Sequence, residues 1–138
     1  MTLTDVRAQP TAVETLRRAL ASDRVASAYL FEGPSGVGKT RAAIGLAQAL
    51  LCTAAPNHGC GTCATCTRIE TGGHPDVRLF APREEGAGNI QVEYLRETIL
   101  PFTRYAPFEA ARAVTIFPDA DISFPAAHPE GANALLKT

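Results

Sequence analysis

The sequence has almost no net charge and no long hydrophobic run. Among its 138 residues, 13 basic side chains nearly balance 14 acidic ones, and the net charge is -1. A domain that coats nucleic acid over a large footprint needs a surplus of lysine and arginine, so we expect any DNA contact to be local or shared with partner proteins. No stretch is apolar enough to cross a membrane, and no charged-then-apolar leader opens the chain. These absences predict a cytoplasmic protein without a membrane partner.

Lysine is rare, and one of the two lysines completes a glycine-rich motif. The motif reads Gly33, Pro34, Ser35, Gly36, Val37, Gly38, Lys39 and Thr40, which matches the pattern G-x-x-x-x-G-K-[ST]. Its glycines lack a Cβ atom, so the backbone can turn sharply and point successive N–H groups at a phosphate. Lys39 would reach the β and γ phosphates of ATP, and Thr40 would bind Mg²⁺. A glycine-rich turn that only links a strand to a helix is the alternative.

Alternating apolar and helical stretches predict an α/β protein. The strand candidates are residues 28–31, 77–80 and 113–117. Helices are predicted from a capping box at Thr11 and Glu14, directly after the glycine-rich motif, and over residues 92–100 with Pro101 as the end. Strands that alternate with helices pair in parallel through right-handed crossovers, so the prediction is a parallel sheet flanked by helices.

The four cysteines have a spacing that suits one metal ion. Three follow the pattern C-x2-C-x2-C and a fourth ends the preceding helix; they are Cys60, Cys63, Cys66 and Cys52. Such turns bring thiolates together, and four sulfur ligands in a tetrahedron suit Zn²⁺. Four protein ligands leave no open position for a substrate. The zinc would therefore be structural and would tie together a loop at about residues 52–70.

Other interpretations of the cysteines stay open. A disulfide pair is disfavoured in a cytoplasmic protein, and an iron–sulfur cluster lacks a fourth cysteine shortly after Cys66. His58 or His74 can replace Cys52 as the fourth ligand. Cys52, at the end of an apolar helix, can equally be a buried core residue.

Together these features resemble one protein family. The residues that carry the resemblance are 28–34 leading into the glycine-rich motif, the four cysteines, His74-Pro75-Asp76, Asp119-Ala120-Asp121 and 133–138. The combination is similar to the bacterial DNA polymerase III clamp-loader subunits over essentially the whole chain. Residues 74–76 and 119–121 look most like the delta prime branch of that family, with the gamma/tau branch second.

The resemblance implies a fold, ligands and partners. Residues 1–138 would be the N-terminal part of an AAA+ ATP-binding domain, which is a P-loop NTPase fold, with a zinc-module insertion. The remainder of the domain, including the arginine finger and sensor residues of the family, would follow Thr138. The ligands would be ATP, Mg²⁺ and Zn²⁺. The partners would be other clamp-loader subunits, the sliding clamp and, through the assembled complex, primed DNA.

The end of the third strand candidate departs from the family pattern. The family holds Mg²⁺ with an aspartate there, and the corresponding position here is Pro118. Proline has no side-chain oxygen to orient Mg²⁺ or water, so we expect ATP binding without efficient hydrolysis. Asp119 is the candidate catalytic residue, although a shift by one residue turns a side chain to the opposite face of a strand. A turn at the start of a helix is the alternative role of Asp119 and Asp121.

Three other functions compete with this interpretation. The first is a gamma/tau-like motor ATPase of the same complex, and the second is a purely structural stator that binds neither nucleotide nor magnesium. The third is a P-loop kinase with a zinc-stapled lid. Kinase lids usually separate two C-x2-C pairs, whereas this chain bunches three cysteines together.

Overall fold

The computed structural model describes residues 10–26, 28–32, 38–82, 88, 90–104 and 106–124. The elements follow in the order α1 (Pro10–Ala21), α2 (Lys39–Leu51), α3 (Ala64–Glu70), β1 (Val77–Leu79), α4 (Val92–Tyr94), a π-helical turn (Leu95–Ile99), α5 (Leu100–Arg104), β2 (Val114–Ile116) and α6 (Ala120–Ser123). Within these residues no helix combines the length and the hydrophobicity that crossing a membrane requires.

The strands β1 and β2 form a parallel pair, as the sequence predicts for two of its three strand candidates. Val77 lies opposite Val114, and Leu79 lies opposite Ile116. The N–H of Phe80 donates to the Ile116 carbonyl at 2.9 Å and lengthens the ladder by one bond. The helices and this parallel sheet confirm the α/β character of the described residues.

Helices cover both faces of the sheet. One hydrophobic cluster joins the strands to α2 and α3 and contains Ala47, Leu51, Ile69, Val77 and Ile116. The other lies against the helical segment 92–104 and contains Phe80, Ile90, Leu95, Ile99 and Leu100, with Phe117 packed against it. Val77 and Ile116 of the strands belong to the first cluster, whereas Phe80 and Phe117, which directly follow the strands, belong to the second.

The helix α2 lies between α1 and the sheet. Its second apolar side packs on α1 in a cluster of Leu16, Leu20, Leu46 and Ala49. The predicted helix after the glycine-rich motif is therefore confirmed, and it is buried on two sides. A helix held in this way is a rigid support for whatever its two ends carry.

A π-helical turn allows Pro101 to lie inside a helix. The prediction that the helix ends at Pro101 is wrong, because helical backbone continues to Arg104. A proline ring clashes with the carbonyl four residues earlier. Directly before Pro101 the Leu100 N–H donates to the Leu95 carbonyl, five residues back. This wider turn displaces the carbonyl that would meet the ring and so accommodates the proline.

Two predictions near the beginning of the chain are also wrong. Residues 28–32 pair as a strand with no other described residue, and Leu30 is 73% exposed. The apolar pattern there sets a preference for extended backbone, but a strand also needs a neighbour to complete its hydrogen bonds. Helix α1 begins at Pro10, so Thr11 lies inside the first turn and is not the N-cap of a capping box. Glu14 instead pairs with Arg18 at 3.3 Å.

Candidate metal centre and phosphate-binding loop

The four cysteine sulfur atoms converge on one point. The Sγ atoms of Cys52, Cys60, Cys63 and Cys66 all lie within 4.8 Å of one another. Those of Cys52 and Cys63 are 3.9 Å apart. Four thiolates at about 2.3 Å from a zinc ion have their sulfur atoms about 3.8 Å apart. A disulfide bond requires about 2.0 Å, and all four cysteines are free thiols. The arrangement therefore fits a tetrahedral metal ion and not a disulfide pair.

Backbone N–H groups surround the sulfur atoms. The Cys52 Sγ accepts from the N–H groups of Ala55 and Cys60, both at 3.3 Å. The Cys60 Sγ accepts from Thr62 at 3.4 Å and from Cys63 at 3.1 Å. Such donors stabilise thiolates over thiols. The loop is therefore folded so that it stabilises negative sulfur atoms at Cys52 and Cys60.

The same donors change the acidity of the thiols. The N–H groups of Thr62 and Cys63 lower the pKa of Cys60 to about 6. At Cys52, burial favours the neutral thiol, but the N–H groups of Cys60 and Ala55 outweigh it and the pKa is lowered. Burial raises the pKa of Cys66 to about 12. A nearby cation would favour the Cys66 thiolate, which is what a metal ligand in a buried position requires.

The structure brings Cys52, and neither histidine, close to the other three cysteines. Cys52 is buried, as expected of a core residue, and its sulfur also belongs to the cluster. His58 is exposed and outside the cluster. His74 is buried elsewhere, where its Nδ1 accepts from the Asp76 N–H at 3.0 Å. The described residues therefore offer four cysteines and no histidine at this site.

The second half of the glycine-rich motif opens α2. Gly38 has φ 92° and ψ 25°, a left-handed conformation that glycine adopts without steric cost. Lys39 and Thr40 form the beginning of the helix, and the N–H of Ala42 makes the first helical bond, to the Gly38 carbonyl at 2.9 Å. The predicted phosphate ligands at 33–37 lie outside the described residues. The three that are described stand at a helix N-terminus, where partial positive charge attracts anions.

The two residues that follow β2 are Phe117 and Pro118, and neither has an acidic side chain. Phe117 follows the strand and packs edge-on against Phe124, with ring centroids 5.0 Å apart. Pro118 is partly buried and Asp119 is exposed. Asp119 is the N-cap residue of α6 with φ 49°, and its side chain makes no capping hydrogen bond. The prediction that Asp119 lies at the start of a helix is thus confirmed. The prediction that its carboxylate caps the helix is wrong.

Two buried polar residues support the site, and sequence analysis missed their roles. Gln48 is fully buried in α2 and donates through Nε2 to the Cys66 carbonyl and to Glu70 Oε2, both at 3.1 Å. Its signal was a glutamine inside the apolar run 46–51. Such a residue needs a partner when buried.

Asp76 is the other missed residue. It is fully buried and accepts from the N–H groups of Phe108 at 2.6 Å, Glu109 at 3.0 Å and Ala110 at 2.8 Å. The segment that it holds leads into β2. Glu109, on that segment, also contacts Arg68 of α3 at 2.6 Å. Asp76 therefore fixes the loop between α5 and β2, and Glu109 connects this loop to α3, the helix that carries Cys66.

Comparisons with known proteins agree on one family. The family model described as "DNA polymerase III, delta subunit" matches residues 8–138. The chain is 38% identical to DNA polymerase III subunit delta' of Bacillus subtilis over 89 residues, which is 64% of the chain and 27% of that protein. It is 36% identical to subunit tau of the same organism over 135 residues, which is 97% of the chain and 22% of that protein. It is 34% identical to subunit delta' of Escherichia coli over 112 residues, which is 80% of the chain and 32% of that protein.

Proposed function

The chain belongs to the family of DNA polymerase III clamp-loader subunits, and from this premise we propose that it binds ATP and helps to load the sliding clamp onto primed DNA. The chain spans about a third or less of the relatives that it matches, by the shares of 27%, 22% and 32%. The complete protein would act in the cytoplasm with the other clamp-loader subunits. Family membership favours this role over the P-loop kinase considered above.

The observation that carries the proposal is the start of α2. Gly38 takes a left-handed conformation that lets the chain turn into the helix, and Lys39 and Thr40 follow at once. Helix geometry leaves the N–H groups of a first turn without acceptors inside the helix, so they can face an anion. Lys39 would contact the β and γ phosphates of ATP, and the Thr40 hydroxyl would hold Mg²⁺. These residues favour a nucleotide-binding subunit over a stator that binds no nucleotide.

The end of β2 supports binding without efficient hydrolysis. Ile116 packs in the cluster with α2, whereas Phe117 packs on the opposite side of the sheet. Pro118 begins the turn that follows β2. It stands where the family resemblance places the aspartate that holds Mg²⁺. Pro118 cannot orient Mg²⁺ or the attacking water, which are the main catalytic contributions to phosphoryl transfer.

A structural zinc ion would complete the cysteine site. Cys52, Cys60, Cys63 and Cys66 would hold it, with all four positions taken by protein ligands. When bound, the ion neutralises the thiolates and cross-links the loop. The N–H groups that donate to the sulfur atoms of Cys52 and Cys60 would stabilise the thiolates that bind the ion. Its purpose would be to fold residues 52–70, which contribute only Cys52, Cys66 and Ile69 to the buried apolar core.

The test of nucleotide binding is a titration of the intact protein with a fluorescent ATP analogue and Mg²⁺. Replacing Lys39 with alanine removes a charge-assisted contact worth about 1.5 to 3 kcal/mol, so affinity should fall about tenfold to a hundredfold. Arg96→Ala removes the same charge from an exposed position of the π-helical turn and should leave affinity unchanged. Equal affinities of the wild type and Lys39→Ala would reject the proposal.

A motor subunit of the tau type is the second candidate. The tau relative matches 97% of the chain, more than the 64% and 80% matched by the two delta' relatives. A motor subunit must hydrolyse ATP, and it would have to use a carboxylate other than one at position 118. Brisk hydrolysis by the intact protein alone would favour this candidate.

A further inference from the structure

One helix carries both candidate ligand sites. Helix α2 starts with Lys39 and Thr40 of the phosphate-binding loop, and Cys52 of the metal cluster is its C-cap. Its 13 residues span about 20 Å at about 1.5 Å per residue. The helix is buried against α1 on one side and against the sheet on the other. A change in the fold at one end therefore acts on a rigid element that reaches the other end.

The cysteine loop completes the C-terminal end of α2. The Cys52 N–H donates to the Gln48 carbonyl at 2.8 Å, and the Asn57 N–H donates to the Ala49 carbonyl at 3.0 Å. Gly59 has φ +77°, and a Cβ atom there would lie 3.2 Å from the Ala49 nitrogen. The last carbonyls of a helix need such partners from outside. The loop that holds the cysteines is thus also the cap of the phosphate-loop helix.

Gln48 is the side-chain link between α2 and α3, the helix that carries Cys66. Both hydrogens of its Nε2 are used, one on the Cys66 carbonyl and one on Glu70 Oε2, while its buried Oε1 has no hydrogen-bond partner. A buried acceptor without a partner costs about 1 to 3 kcal/mol. A leucine would avoid this cost at the same position. The two donated bonds are therefore what the glutamine offers here, and they fix the carbonyl of a metal ligand relative to α2.

We propose that Gln48 is a positioning residue that couples the two sites, so that zinc at the cysteine cluster and nucleotide at Gly38, Lys39 and Thr40 bind cooperatively. The proposal rests on the proposed function, because it needs both ligands to bind. Loss of the metal removes the cross-link of the loop, which weakens the cap and the Cys66 contact and loosens the last turn of α2. Nucleotide holds the first turn of the same helix. Coupling between two sites is reciprocal, so nucleotide must also retain the metal.

The test measures the zinc affinity of the intact protein. Zinc-loaded protein is brought to equilibrium with increasing amounts of a chromogenic chelator of known affinity, with and without ADP and Mg²⁺, and the zinc transferred is measured by absorbance. In the wild type we expect nucleotide to raise the zinc affinity about fivefold or more, the usual lower range of coupling between sites. Gln48→Leu should bind zinc about tenfold more weakly, as is typical when a residue behind a metal ligand is lost. The zinc affinity of the same variant should respond to nucleotide less than twofold.

A matched variant separates this effect from a general loss of stability. Gln91→Leu makes the same replacement at an exposed position before α4, and it should behave as the wild type. Gln48→Met replaces the amide with a flexible apolar side chain and should behave as Gln48→Leu. A protein that holds no zinc or no nucleotide would overturn the proposed function and the coupling together. A protein that binds both, with a zinc affinity unaffected by nucleotide or by Gln48→Leu, would overturn the coupling alone.

Discussion

Replacing Asp76 with asparagine is the most direct test of how this fold is held together. The Asp76 carboxylate receives three N–H donors, with Phe108 on Oδ1 and Glu109 and Ala110 on Oδ2. Asparagine keeps one oxygen. The favoured orientation of the amide keeps that oxygen on the N–H groups of Glu109 and Ala110. The amide NH₂ then faces the Phe108 N–H. One charge-assisted bond becomes a donor–donor contact, and two others lose the charge.

The expected cost follows from these contacts. A hydrogen bond to a charged group contributes about 1.5 to 3 kcal/mol, and an unpaired buried donor costs about 1 to 3 kcal/mol. We therefore expect Asp76→Asn to lower the free energy of unfolding by about 2 to 4 kcal/mol. Asp23→Asn is the control, because its side chain is 86% exposed and lies 3.6 Å from Arg112. That exposed pair contributes about 1 kcal/mol or less.

The effect has a defined pH dependence. Burial opposes the charge of Asp76, but the N–H groups of Ala110, Glu109 and Phe108 outweigh it, so the pKa lies below its ordinary value. Between the folded and the unfolded pKa of Asp76, the unfolded chain binds more protons than the folded one. Stability therefore rises with pH. The contribution is complete above the unfolded pKa of about 3.9 and is lost as the pH falls through the folded pKa. Asp76→Asn should lack this part of the acid dependence.

The assay is urea denaturation of the intact protein at several pH values, combined with hydrogen exchange of residues 106–112. Exchange reports on the loop directly, even if other regions unfold separately. In Asp76→Asn the amides of Phe108, Glu109 and Ala110 should exchange faster, while those of α1 keep the wild-type rate. A variant within about 0.5 kcal/mol of wild type, the range of ordinary surface substitutions, with unchanged exchange would refute the reasoning.

Three further predictions concern the sites. The purified protein should contain about one zinc per chain, and Cys63→Ser should remove this zinc whereas His58→Ala should not. Elemental analysis measures the zinc content, and a folded wild type without zinc would contradict the prediction. Gly59→Ala should lower the melting temperature more than Gly72→Ala. Both glycines have positive φ, but only at Gly59 would the new Cβ meet backbone, at 3.2 Å. Equal shifts of the melting temperature would count against the close approach of Gly59 to α2. Asp119→Asn should leave ATP hydrolysis within twofold of wild type, since the Asp119 side chain is exposed beyond the strand, and a tenfold loss would identify Asp119 as a magnesium ligand.

The cysteine site was predictable from sequence because its geometry is local. Three of the cysteines fall within seven residues, and the fourth ends the helix before them. Turns of this length leave few ways to arrange the thiols, so spacing alone indicated the convergence that the structure contains. The strands 77–80 and 113–117 were predictable for a similar reason, since each is a short apolar run next to a turn. Their parallel pairing followed from the helix between them.

The supporting contacts were not predictable because they join distant residues. Asp76 binds N–H groups 32 to 34 positions later in the chain, and nothing in the pattern His74-Pro75-Asp76 names those partners. Pro101 misled the prediction in the opposite way. Its local preference ends a helix, but the burial of Leu95, Ile99 and Leu100 favours a continuous one. The π-helical turn is the compromise between that burial and the proline ring.

The segment 28–31 shows why local preference alone does not make a strand. Its aromatic and aliphatic residues suit a buried strand, yet Tyr29 is 39% exposed and Leu30 is 73% exposed. The sheet that the described residues form has two strands, and 28–31 is not one of them. Without a strand partner among the described residues, this segment gains none of the pairing that stabilises β1. The extended preference of 28–31 therefore becomes a strand only where another strand supplies hydrogen bonds and an apolar face to bury Leu30.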